Sequence, residues 1–128
     1  MTIYVSIVVG VIPSREVVEM VLKFWFLKLL GNAGLSALEY QLRKILAENP
    51  YQAFYENPNK LYEAFRAIFG EGAEALLRIL FSTMIREGAI DASNPDEIIN
   101  LMRRNDEASR RALLRMFRIV GTSRREMP

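Results

Sequence analysis

The stretch NPYQAFYENPNKLYEAFRAIF, residues 49–69, opens on Asn49-Pro50 and repeats the step at Asn57-Pro58. An asparagine side chain accepts hydrogen bonds from the free amides that begin a helix. A proline just after it has no amide hydrogen to leave unsatisfied, and its backbone dihedral already suits a helix. Each step therefore predicts a helix start. The first opens a short turn, Tyr51 to Glu56, and the second a longer helix, Asn59 to Phe69, with Leu61, Tyr62, Phe65 and Ile68 along one side. A third step, Asn94-Pro95, adds Glu97 in the capping-box position.

Working outward, Gly70 and Gly72 flank Glu71 and break the pattern. It resumes from Ala73 to Glu87 with Leu76, Leu77, Leu80 and Met84 inward, and stops at Gly88. Two more helices are expected, Pro95 to Arg103 and Asp106 to Val120, the last ended by Gly121 with a frayed tail at residues 122–128. On the other side, Leu35, Leu38, Leu42 and Ile45 mark a helix from Leu35 to Glu48, with Glu39–Arg43 and Lys44–Glu48 as exposed ion-pair candidates. Ser14 caps an earlier helix running through Val18, Val21, Leu22, Trp25 and Leu29 to a stop at Gly31-Asn32. Glu16, Glu19, Lys23 and Lys28 form only a narrow polar stripe on it, so it belongs at the centre of the fold or in a dimer interface.

Residues 1–13 are different. Ile3, Tyr4, Val5, Ile7, Val8 and Val9 favour a strand. A lone strand must pair with its copy in a dimer, pack irregularly on the core, or extend the first helix. The expectation is a single all-α domain over residues 1–128, a compact bundle of about five to six helices with an apolar N-terminal extended segment.

Composition limits the chemistry. The chain has 128 residues, 51% of them hydrophobic and 25% charged, enough for one core without covalent staples. Cysteine and histidine are both absent. That removes disulfides, thiolate nucleophiles, the usual metal ligands and the commonest general base. Carboxylate catalysis would need acids in an apolar setting. Glu16 and Glu19 instead share a helix face with Lys23, and Asp91, Asp96 and Glu97 surround a helix start. The reading is therefore no catalytic residue, no cofactor and no metal. Ile3 to Ile12 is shorter than the ~20 apolar residues needed to span a bilayer and lacks a basic leader. Val17 to Leu30 is interrupted by Glu19, Lys23 and Lys28. No transmembrane span is expected, and the default location is the cytoplasm.

Phe69-Gly70-Glu71-Gly72-Ala73-Glu74 invites comparison with a phosphate loop. It lacks the further glycines and the lysine, and its two glutamates repel an anion, so a tight turn between antiparallel helices is the better reading. With Asn57-Pro58, Leu61-Tyr62, Phe65, Ile68 and Ala75-Leu76-Leu77, the same block resembles a small archaeal all-helical family. Its domain occurs alone or as the C-terminal output piece of signalling chains. The resemblance covers about residues 17–87 and implies a non-enzymatic regulatory or interaction domain, with no catalytic residue to carry over.

Two features remain for function. From Leu101 onward arginines outnumber the acids Asp106, Glu107 and Glu126. If the last helix runs to Val120, Arg111, Arg115 and Arg118 share a sector opposite Leu113, Phe117 and Val120. That stripe suits nucleic-acid phosphates or another charged partner. It equally suits a solvated face, since Asp106–Arg110 and Glu107–Arg111 are favourable acid-first pairs. Trp25, between Phe24 and Phe26, points to core or oligomer interface. The functional expectation is a regulatory or protein-interaction module, a homodimer that self-associates through Ile3, Val5, Ile7, Val9 and Trp25. The alternative is nucleic-acid binding through Arg111, Arg115 and Arg118.

Overall fold

The chain is described by a computed structural model that covers residues 7–8 and 12–120, with side chains from 12 to 118. Among these residues there are six helices: α1 (Arg15–Leu46), α2 (Pro50–Glu56), α3 (Pro58–Phe69), α4 (Gly72–Arg86), α5 (Pro95–Arg103) and α6 (Glu107–Arg115). The expected all-α bundle is what forms. The helix starts follow from local chemistry. Asn49 Oδ1 accepts from the Tyr51 and Gln52 amides at 2.8 and 3.3 Å, and Asn57 Oδ1 from Asn59 at 3.2 Å. Asn94 Oδ1 accepts from Glu97 at 3.1 Å, while Glu97 reaches back to the Ser93 amide at 2.8 Å, one residue before the expected box partner. Ser14 caps α1 through the Val17 amide.

Three expectations change. The two helices read before Glu48 are one element broken at Gly31, whose φ of 77° and ψ of 174° are non-helical while helical pairing resumes on either side. A Cβ at Gly31 would meet nothing within 4 Å. The glycine is therefore required by its left-handed φ, not by crowding. The break divides α1 into a first arm, residues 15–30, and a second arm, residues 32–46.

The last helix stops early. α6 ends at Arg115, and the chain turns at Met116 and runs extended along the segment after α4. The Arg118 amide donates to the Ala89 carbonyl at 3.1 Å, the Asp91 amide donates to Met116 at 2.8 Å, and Phe117 bridges Ile90. Burying Phe117 against Phe54, ring centroids 6.0 Å apart, secures this turn. The third change concerns the N-terminal segment. Ile7–Val8 (β1) pairs antiparallel with Ile119–Val120 (β2), Ile7 opposite Val120 and Val8 opposite Ile119. The partner thus comes from the same chain, which none of the three expected arrangements supplied. Ile3, Val5, Val9, Gly121 and the 122–128 tail lie outside the described residues.

One core unites the helices. α1 packs on α2 and α3, α4 on α5, and α6 on α5 and α2. Phe54, Phe65, Phe81 and Phe117 are fully buried within it, and Phe26 from the first arm stacks on Phe65 at 5.9 Å. The corner at Gly70, whose φ is 58°, turns the chain from α3 into α4 as the glycines predicted.

Candidate interaction surface

The first arm of α1 is apolar almost all round, and only one side of it faces the core. Val18, Leu22 and Phe26, at four-residue spacing, are buried. On the opposite side Met20, Phe24 and Leu27 stand 63%, 48% and 38% exposed. With 100° between successive residues these three fall within one sector, flanked by the half-buried Val17 and Val21. The Phe24 ring meets Trp25 edge-on at 5.0 Å, and Lys28 Nζ lies 5.6 Å from its centroid on the other side. Trp25 is half-buried at the rim of this face. Beside it, Met20, Val21, Phe24 and Trp25 form one wall of an open groove of about 300 Å³, and Glu87, Gly88, Ala89 and Arg118 form the other. A second apolar groove, about 330 Å³, lies between the second arm and the α3–α4 corner, against Phe69 and Leu76.

Fully burying an exposed Met, Leu or Phe gains about 1.5–3 kcal/mol. Association sacrifices ~4–15 kcal/mol of rigid-body freedom. A contact on this face therefore has to cover all three side chains at once. Among the described residues, α1 is also the helix with the length and composition to cross a membrane, at a mean hydropathy of 1.2 in its best window.

Elsewhere two clusters of polar side chains are tied together across helices. Tyr62 Oη, from buried Tyr62 on α3, donates to Glu74 Oε2 on α4 at 2.5 Å, and Arg103 Nη1 from α5 donates to the same oxygen at 2.7 Å. Arg78 links Glu74, at 3.9 Å, to Asp96, at 2.7 Å. The Tyr62 hydrogen bond first, then Arg103, hold the Glu74 carboxyl below its ordinary range. A second clasp braces the bend of α1: Tyr51 Oη donates to Glu39 Oε2 on the second arm at 2.5 Å, and Lys23 Nζ on the first arm stands 3.8 Å from that oxygen. Burial first, and then the Glu39 bond, push the Tyr51 hydroxyl well above its ordinary value.

The arginine stripe is not assembled as expected. Arg111 is exposed on α6 but its Nε donates to Glu107 at 3.1 Å, and Arg115 is exposed near the helix end. Arg118 has left the helix, because α6 ends before it, and its Nη2 sits 3.6 Å from Asp91. Arg110, outside the expected stripe, ties α6 to α2. Its Nε donates to the Tyr55 carbonyl at 2.6 Å, its guanidinium lies 5.1 Å from the Tyr55 ring, and Tyr55 Oη donates to the Pro13 carbonyl at 2.7 Å. No local pattern marks Tyr55, Tyr62 or Glu74, since their partners are distant in sequence. Among the described residues no group of three or more carboxylates stands close enough to hold a metal ion. Comparison of the chain with protein-family models, curated proteins and solved structures found no match.

Proposed function

We propose that this chain is a non-catalytic interaction module that self-associates as a homodimer through the outer face of the first arm of α1. The observation that carries the reading is the run Met20, Phe24 and Leu27, exposed at three- and four-residue spacing directly across the helix from Val18, Leu22 and Phe26. An amphipathic helix at a protein surface ordinarily turns charged residues outward. Here the outward side carries Met20, Phe24 and Leu27, and the neighbouring Lys28 lies against the Phe24 ring. A two-fold contact uses one patch twice, so a single apolar stripe is enough to make a closed pair. The resemblance of about residues 17–87 to output pieces of signalling chains accords with a regulatory use of such a pair.

Sedimentation velocity over a concentration series tests this. The wild-type chain is expected to shift from monomer to dimer with concentration, and the double variant Met20→Glu, Phe24→Glu to remain a folded monomer. A wild-type chain that stays monomeric throughout, or a variant that still pairs, overturns the reading. So does quantitative partition of the monomer onto zwitterionic phosphatidylcholine vesicles in place of pairing, because it would assign the apolar face to a lipid surface.

A further inference from the structure

The bend of α1 rests on one residue. Gly31, at φ 77° and ψ 174°, sits in a region of backbone space that glycine alone enters without strain, and helical pairing continues on both sides of it. No proline stands in α1, so the two arms are free to join into one straight helix. The bend is also unpacked. Gly31 is exposed, a Cβ there would meet nothing within 4 Å, and an open groove of about 330 Å³ borders it at Leu30 and Gly34. What keeps the first arm on the core is contact with the rest of the chain. Val18, Leu22 and Phe26 are buried, with Phe26 stacked on Phe65 at 5.9 Å. Lys23 Nζ stands 3.8 Å from Glu39 Oε2, the Tyr55 hydroxyl donates to the Pro13 carbonyl at 2.7 Å, and Ile7–Val8 pairs with Ile119–Val120. Each of these pairings joins a residue before Gly31 to one after it.

We propose that Gly31 is the hinge of a domain exchange, in which α1 runs straight through residue 31 and the chain before it packs on the core of a second copy. The exchange preserves every contact named above, because the second copy offers the same Phe65, Glu39, Tyr55 and Ile119–Val120. Only the conformation at residue 31 changes. A short hinge held in a restricted conformation is the setting that invites such an exchange. Two things favour the closed monomer: its own arm is present at high effective concentration, and glycine accepts the bend without strain. Alanine at position 31 reverses the second, because it resists the closed φ and favours the straight helix. Gly31 thus sets which form is populated. This pairing uses the inward side of the first arm, Val18, Leu22 and Phe26, and does not rest on the outer-face contact of the proposed function.

The test starts from the double variant Met20→Glu, Phe24→Glu, which removes the outer-face contact and leaves the hinge intact. Light and heavy-nitrogen-labelled chains of this variant are mixed in urea and refolded together at high concentration. A water-soluble carbodiimide then joins Lys23 to Glu39 where the two side chains meet. In a straight α1 these residues of one chain lie about 24 Å apart along the axis, at about 1.5 Å per residue, so only the closed chain links them within itself. The double variant is expected to sediment as a monomer whose Lys23–Glu39 peptides are all light or all heavy. Adding Gly31→Ala is expected to move the balance toward the exchanged pair by about a hundredfold per chain. The result is a dimer in which about half of those peptides join a light chain to a heavy one. Inserting Gly-Ser-Gly after Gly31 instead, which eases the turn without straightening it, is expected to keep the monomer. A Gly31→Ala chain that stays monomeric, folded or unfolded, overturns the proposal. So does a dimer without mixed peptides, or as many mixed peptides from the insertion. A wild-type chain that never pairs natively would sink the outer-face contact alone and leave this result unchanged.

Discussion

The outward sides of α3–α5 and of the first arm of α1 are both surface, but they are finished in opposite ways. Across α3, α4 and α5, Tyr62, Glu74, Arg103, Arg78 and Asp96 meet in a continuous chain of hydrogen bonds and ion pairs. Along α1, Met20, Phe24 and Leu27 stand exposed, Met20 and Phe24 beside an open groove whose far wall is Glu87, Gly88, Ala89 and Arg118. This polar cluster finds its partners within one copy of the chain, although Phe69 on α3 and Ile79 on α4 also stand exposed. The α1 surface has the composition of an interior and lacks its other half. A polar surface spends its capacity on stability, whereas an apolar one holds its capacity for a partner.

The contrast is sharpest within α1 itself. Leu22→Ala opens a cavity in the core and should cost about 2–5 kcal/mol in a urea titration. Met20→Ala, on the opposite side of the same turn, should change stability by less than about 0.5 kcal/mol. Comparable losses at the two positions would mean that the Met20 side is covered within the monomer. On the polar surface, Glu74→Ala strips the buried Tyr62 hydroxyl of its acceptor and Arg103 of its counter-ion. About 1–3 kcal/mol should be lost, without effect on self-association. Any change in sedimentation with that variant would break the separation between the two surfaces.

Acidity distinguishes them again. The Glu74 carboxyl titrates lower in the folded chain than its ordinary 4.5. Its contribution is therefore fully present above that value and drains away as pH falls through the lower folded one. Glu74→Gln should flatten this part of the stability–pH curve, while association through uncharged Met20 and Phe24 should show no matching step. The smallest expected effect lies at a cap. Asn49→Ala removes the acceptor for the Tyr51 and Gln52 amides and should cost about 1 kcal/mol or less, read as a small shift in the urea midpoint.

Legibility in the sequence followed the range of the interactions. The Asn-Pro starts and the Gly70 corner depend on atoms a few residues apart, and the chain could be divided from them alone. Gly31 marked the right place with the wrong meaning: a glycine reports that φ must change, but not whether helical pairing resumes at once. Leu113, Phe117 and Val120 keep helical spacing past the end of α6. What ends the helix is Ile90 bridging Phe117 and Ile7–Val8 pairing with Ile119–Val120, contacts that local spacing does not encode. Arg118 was misplaced for the same reason. The surplus of apolar surface on α1 could be read from its narrow polar stripe, and Trp25 with it. Which residues face outward, Met20, Phe24 and Leu27, depended on where α2, α3 and α4 pack.

Because the chain has no cysteine, a single introduced thiol can ask whether the α1 faces of two copies meet. Met20→Cys and Tyr40→Cys place thiols at nearly equal exposure, 63% and 61%, on the first and second arms. Under mild oxidation at a concentration where the wild-type chain sediments as a dimer, Met20→Cys is predicted to be captured as a disulfide-linked pair. Tyr40→Cys should remain uncrosslinked. Equal capture at both positions, or capture at Tyr40→Cys alone, would contradict the assignment of this surface.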